Sequence, residues 1–168
     1  MGKIIEKIAI DRKHEIVLKI DYDNQQELTA ENLQKADAAI EFSTPATVLA
    51  NIRHCFKAGV PVVVGTTGWY DEMQRVKQQC GQGNNSLIYA SNFSIGVNVF
   101  FHVNRVLAKL MNNYPYYEVQ VEEIHHIQKL DAPSGTAITI AEGIIENLDA
   151  KKRMDECADD RRRRDRRR

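Results

Sequence analysis

Between Glu122 and Thr136 the chain reads Glu-Glu-Ile-His-His-Ile-Gln-Lys-Leu-Asp-Ala-Pro-Ser-Gly-Thr, its densest run of groups able to move protons or hold anions. An imidazole exchanges a proton near neutral pH, so His125 and His126 are candidates for acid–base chemistry. Neighbouring residues of a strand point to opposite faces, so one ring can line a cleft while the other packs. Lys129 adds a cation. Ser134, Gly135 and Thr136 stand where a helix is expected to start. First-turn amides lack an acceptor within the helix and carry the positive end of its dipole, which suits a carboxylate or a phosphate. The plainer alternative is a serine N-cap beside two structural histidines. No His-x-x-x-His spacing supports zinc, and no Gly-Lys-Ser/Thr follows that would make a phosphate loop. His14, His54 and His102 fall in or beside expected helices and receive no role.

The elements that must position these groups follow from periodicity. Residues 3–13 carry Ile4, Ile5, Ile8 and Ala9 at helical spacing. Residues 15–20 read as a short buried strand ended by Asp21, and 38–42 as a second. Ser43-Thr44-Pro45 is expected to cap a helix, with Val48, Leu49, Ile52, Cys55 and Phe56 inward and Gly59 as its stop. A third strand, 61–64, runs into Gly65-Thr66-Thr67-Gly68; a helix over 71–80 and a fourth strand over 86–90 follow. Short buried strands alternating with amphipathic helices predict a parallel, doubly wound α/β sheet. Its functional loops should lie at the strand ends, at Asp21, Ser43-Thr44, Gly65 to Thr67 and Ala90 to Phe93. Beyond Gly96 the pattern changes. A long helix over 96–112 has Val99, Val103, Val106, Leu107 and Leu110 inward; 116–124 alternates like a half-exposed strand; a last helix covers 135–148. A domain change is placed near Ser94, giving a first domain over 1–93 and a second over 94–150.

Composition narrows the function classes. The 168 residues are 43% hydrophobic and 27% charged, which excludes wholesale disorder. No apolar run is long enough for a membrane helix. Three cysteines without metal or disulfide spacing point to a reducing, cytoplasmic setting. The net charge of zero hides an asymmetry, because residues 151–168 hold ten basic and five acidic side chains. That Arg-rich tail is expected to be disordered and is read as a non-native end in preference to a nucleic-acid arm.

The run from Glu122 to Ala137 closely resembles the signature Glu-x-His-His-x-x-Lys-x-Asp-x-Pro-Ser-Gly-Thr-Ala of the bacterial dihydrodipicolinate reductases. Gly65 to Gly68 and Ala90 to Ser94, followed by Gly96-Val97-Asn98, resemble two further segments of that family, in order, and the likeness extends from about Gly2 to about Lys152. The resemblance implies a Rossmann-like dinucleotide-binding domain followed by an α+β substrate domain. It implies reduction of 4-hydroxy-tetrahydrodipicolinate, via dihydrodipicolinate, by NADH or NADPH in lysine and diaminopimelate biosynthesis. It makes His125 the proton-transfer group with Lys129 as its partner, and gives the dicarboxylate substrate to His126, Gly135 and Thr136. Gly65, Thr66, Thr67, Ala90, Ser91, Asn92 and Phe93 would hold the cofactor, with Asp21 or Asp23 at the adenosine ribose. No Arg or Lys closely follows Asp21, which leans the reading toward NADH. No metal is implied.

The sequence departs from the family pattern at both ends. A dinucleotide fold opens with a strand and a Gly-x-Gly-x-x-Gly turn, whereas here a helix comes first, with only Gly2 before it. Asp21, 19 residues after Gly2, has the spacing of a ribose-binding acid if Gly2 closes such a turn. The chain is thus expected to lack its first strand, its glycine turn and the later part of the substrate domain, and to have lost the homotetramer contact of the full-length family. The rival reading is a non-catalytic piece that binds anions or nucleic acid through its basic tail. A weaker one is a nicotinamide-dependent reductase of another small acid.

Overall fold

The computed structural model describes residues 1–83, 85–125 and 132–155, and it divides into two compact units, Met1–Phe93 and Ser94–Arg168.

The first unit is built on three parallel strands, β1 (Ala39–Glu41), β2 (Val62–Val64) and β3 (Leu87–Tyr89), side by side in that order. Ala39 pairs with Val62 and Val62 with Leu87, so the strands run in step. Four α-helices precede or interleave them, α1 (Gly2–Asp11), α2 (Ala30–Leu33), α3 (Val48–Ala58) and α4 (Met73–Gln82), and α5 (Ile95–Met111) follows at the start of the second unit. This is the Rossmann-like α/β arrangement expected. The core lies where α3 meets the sheet. Val48, Ile52, Cys55 and Ala58 recur every three or four residues on one face of α3 and bury against Val62, Val64, Trp69 and Val76. Gly59 ends α3 in the left-handed conformation, φ 70°, the position where a Cβ is disfavoured.

Three expectations for this unit are corrected. The segment 15–20 is extended but belongs to no ladder, since strand structure requires a paired backbone and none lies beside it among the described residues. Ser43-Thr44-Pro45 does not open α3. Thr44 O accepts from the amides of Thr47 and Val48, forming a turn, and the helix starts at Val48 with Thr47 as N-cap. The sheet is packed on one face only: Ile40 and Ile88, which flank Val63 on the other face, stand exposed, as do Ile4 and Ile8 of α1.

Burial of α3 has a chemical consequence. The Cys55 thiol is pushed up to about 11 by its burial and by the nearby Glu41 carboxylate. A thiolate is the reactive form, so Cys55 should react on the order of 10²-fold more slowly than a free thiol at neutral pH. Peptide mapping after brief alkylation of the folded protein should leave Cys55 unlabelled while partly exposed Cys80 is labelled. Rapid labelling of Cys55 without unfolding would contradict this burial.

In the second unit, α5 pairs with α6 (Gly135–Ile145). The buried residues of α5 are Phe101 and Ala108, seven apart on one face. The expected inward set is on the opposite side: Val99, Val103, Val106, Leu107 and Leu110 are all exposed. Polar and small residues explain the choice of face. Asn104 Nδ2 donates to Ile140 O at 2.9 Å and Asn112 Nδ2 to Asn147 O at 3.0 Å. A Cβ at Gly143 would lie 3.1 Å from Arg105 Cγ, so the helices approach where α6 has no side chain. The segment 116–124, expected as a strand, forms no strand ladder among the described residues. No helix among the described residues is long and apolar enough to cross a membrane.

Candidate active site

The carboxyl ends of the three strands lie together in the first unit. Gly65 N–H donates to Glu41 O at 2.9 Å and Ala90 N–H to Val64 O at 3.3 Å, which continues the ladder past the strands and brings the loops after them side by side. Thr66 is buried. Its Oγ1 accepts from Ser43 N at 2.7 Å, and its carbonyl accepts from the indole of Trp69 at 2.8 Å. The Thr66 hydroxyl oxygen thus helps to join two loops, and Thr67, partly exposed beside it, is the more accessible of the pair.

Gly65 has a specific steric reason. A Cβ built there would fall 2.1 Å from Phe42 Cε1 and Cζ, so the ring of Phe42 occupies the space a side chain would take. Phe42 in turn lies against Phe93, ring centroids 6.3 Å apart. Sequence reasoning singled out Gly65 and Phe93 and missed Phe42 between them. The signal was available, because Phe42 directly follows β1 and all three positions are strand ends.

Beneath this loop cluster Glu41 is buried, accepting from the Ser43 hydroxyl and from Asn51 Nδ2. Asp21, expected at the ribose, caps the short 3-10 turn Tyr22–Glu27: its Oδ1 accepts from Tyr22 N at 2.8 Å, and Asn24 Oδ1 accepts from Asp21 N at 2.7 Å. Asp21 and Asp23 are exposed at the end of the extended segment.

The proton-transfer candidate lies in the second unit. His125 Nε2 is 2.9 Å from Glu123 Oε2. The same carboxylate accepts from Ser134 N at 2.8 Å and from the Ser134 hydroxyl at 2.5 Å. Ser134 Oγ accepts from Ala137 N at 3.1 Å and so caps α6, whose first two residues are Gly135 and Thr136. Burial tends to raise the Glu123 carboxyl, but the two Ser134 donors, the His125 hydrogen bond and the His125 charge outweigh it and hold the group below the ordinary carboxylate value. Glu123 is thus ionised at neutral pH.

Two consequences correct the sequence reading. Ser134, expected to help hold a ligand anion, gives both its donors to a carboxylate of the chain itself. Glu123, quoted in the motif without a role, joins His125 to the helix. Its place two residues before His125 in an alternating segment puts both side chains on one side, which was the available clue. His126 and Lys129 lie outside the described residues.

Comparison with known proteins shows the family of the chain. Residues 1–93 match the family described as dihydrodipicolinate reductase, N-terminus, and residues 96–166 match its C-terminus counterpart. The chain belongs to the dihydrodipicolinate reductase family. A 4-hydroxy-tetrahydrodipicolinate reductase of Christiangramia forsetii is 47% identical over 162 residues, covering 95% of this chain and 67% of that protein. One from Acinetobacter baumannii is 39% identical over 119 residues, 71% of this chain and 42% of that protein. Among solved structures, the dipicolinate-bound dihydrodipicolinate reductase of Paenisporosarcina sp. TG-14 superposes with a TM-score of 0.55 at 29% identity, covering 84% of this chain and 53% of that one. The chain therefore spans about two thirds of the first of these reductases and about half or less of the other two. Dihydrodipicolinate reductases are NAD(P)H-dependent, and the boundary between the two family matches falls at the division between the units.

Proposed function

We propose that this chain carries the cofactor-binding and proton-transfer parts of a 4-hydroxy-tetrahydrodipicolinate reductase acting in lysine and diaminopimelate biosynthesis. The observation that supports it best is the joining of His125 to the start of α6 through Glu123. A proton-transfer group and a helix start suited to a carboxylate then share one anchor, which is what a cyclic unsaturated dicarboxylate needs.

The residues present fit a nicotinamide cofactor at the strand ends of the first unit. The partly exposed backbone at Gly65 and Thr67 and the exposed Phe93 ring beside Phe42 offer polar and aromatic contacts in one place. When bound, the reduced nicotinamide supplies the hydride. Gly65, Thr67 and the stretch Ala90, Ser91, Asn92, Phe93 bind it, with Thr66 holding their loop to Ser43. Asp21 takes the adenosine ribose hydroxyls, and the absence of an Arg or Lys closely following it favours NADH over NADPH.

In the second unit Gly135 and Thr136, at the positive end of the α6 dipole, hold a substrate carboxylate, and His126 holds the dicarboxylate with them. Lys129 stabilises the charge that develops as hydride arrives, and His125 delivers the proton. We place the enzyme in the cytoplasm, with a homotetramer as the assembly of the full-length protein.

The test is substrate-dependent oxidation of the cofactor by the full protein. Oxidation of NADH that requires 4-hydroxy-tetrahydrodipicolinate, and at least tenfold higher kcat/KM with NADH than with NADPH, is expected. No consumption of either cofactor with this substrate, alongside turnover of another cyclic imine acid, would replace the substrate assignment.

A further inference from the structure

We infer that Glu123 is the positioning residue of the reaction: its carboxylate fixes the His125 ring as the Nε2–H tautomer and sets that ring in register with the first turn of α6. This deepens the proposed function and rests on its reading of His125.

Three hydrogen bonds meet on one carboxylate. Oε2 faces His125 Nε2 at 2.9 Å and takes the Ser134 hydroxyl, while Oε1 takes the Ser134 amide. An ionised carboxylate only accepts, so the ring nitrogen facing it must carry the hydrogen. Nδ1 is then the atom that exchanges a proton with a ligand. With the ring charged, Nδ1–H releases its proton to the substrate and the ring is left neutral as the Nε2–H form. No internal rearrangement of the ring is needed between turnovers, because Nε2–H stays on Glu123 throughout. The other end of the same carboxylate is tied to the helix, since Ser134 Oγ also receives the Ala137 amide. Imidazole, carboxylate, serine and helix start therefore form one continuous chain of hydrogen bonds. A displacement of α6 that carries Gly135 and Thr136 also carries the His125 ring. A group that acts through another in this way governs the chemical step more than substrate binding.

Glu123→Gln tests this with little change of shape. With its nitrogen in the place of Oε2, the amide keeps its oxygen for the Ser134 amide, loses the bond from the Ser134 hydroxyl and can only donate toward His125, so the ring nitrogen beside it must become an acceptor. Nitrogen-15 spectra of the histidine rings report the tautomer directly. In the unaltered protein His125 is expected as Nε2–H, and in Glu123→Gln as Nδ1–H. In the full enzyme kcat should fall on the order of 10²-fold, with KM for the dicarboxylate within about threefold. An Nδ1–H ring in the unaltered protein overturns the inference by itself, whether or not the variant folds. A kcat within threefold for Glu123→Gln, while His125→Ala is crippled, overturns the positioning role and leaves the reading of His125 standing. Normal turnover by His125→Ala would instead remove the functional reading, and the tautomer measurement would still decide whether Glu123 sets the ring.

Discussion

Replacing His125 by alanine in the full protein is expected to lower kcat by about 10²- to 10⁴-fold, the usual contribution of a positioned acid or base. The protein should remain folded. His125 is exposed as a residue, and its one described bond is to Glu123, which keeps its two bonds to Ser134 when the ring is gone. Cofactor affinity should not change, since every residue assigned to the cofactor lies in Met1–Phe93 and His125 does not. Stopped-flow measurement of the chemical step, with NADH titrated by fluorescence in parallel, separates the two effects. Loss of NADH binding together with turnover would mean that the substitution disturbs structure. Turnover within threefold of the original would remove His125 from the chemistry.

The second large effect is on stability. Ile52 is fully buried at the centre of the α3 face, among Val48, Cys55 and the β2 valines. Ile52→Ala should cost about 2–5 kcal/mol, through lost apolar transfer and the cavity left behind. For a unit of this size that is a large share of a total of roughly 5–15 kcal/mol. Ile40→Ala is the control. Ile40 sits one position from the packed row but on the open face, 57% exposed, and its loss should change stability by no more than about 0.5 kcal/mol. Urea unfolding would show a lowered midpoint with unchanged slope for the first variant and almost no change for the second. Equal losses would mean that the open face is covered in solution.

These two sites mark what the sequence made legible. The period of α3 was readable because Val48, Ile52 and Cys55 recur at helical spacing, and Gly59 ends the helix by backbone chemistry that only the local sequence decides. The residues 15–20 and 116–124 have strand-like patterns and form no strand, because a ladder belongs to two segments and the pattern describes one. The face of α5 was misread for a related reason. Its apolar stripe was counted correctly, but Asn104, Arg105 and the missing side chain of Gly143 determine which side meets α6. In the candidate site, residue types were legible and their partners were not. Glu123 and Ser134 are eleven residues apart, and nothing in the spacing says that the serine serves a carboxylate of its own chain. Phe42 was overlooked because its effect is steric, felt at Gly65 through space.

The tie between Trp69 and Thr66 gives the protein a built-in optical reporter. Trp69 is the sole tryptophan of the chain, it is buried, and its indole hydrogen bonds the carbonyl of the very turn assigned to the nucleotide. Its emission therefore comes from one place with one environment. If the nucleotide binds at that turn as proposed, its binding should change the Trp69 emission, with no label and no turnover.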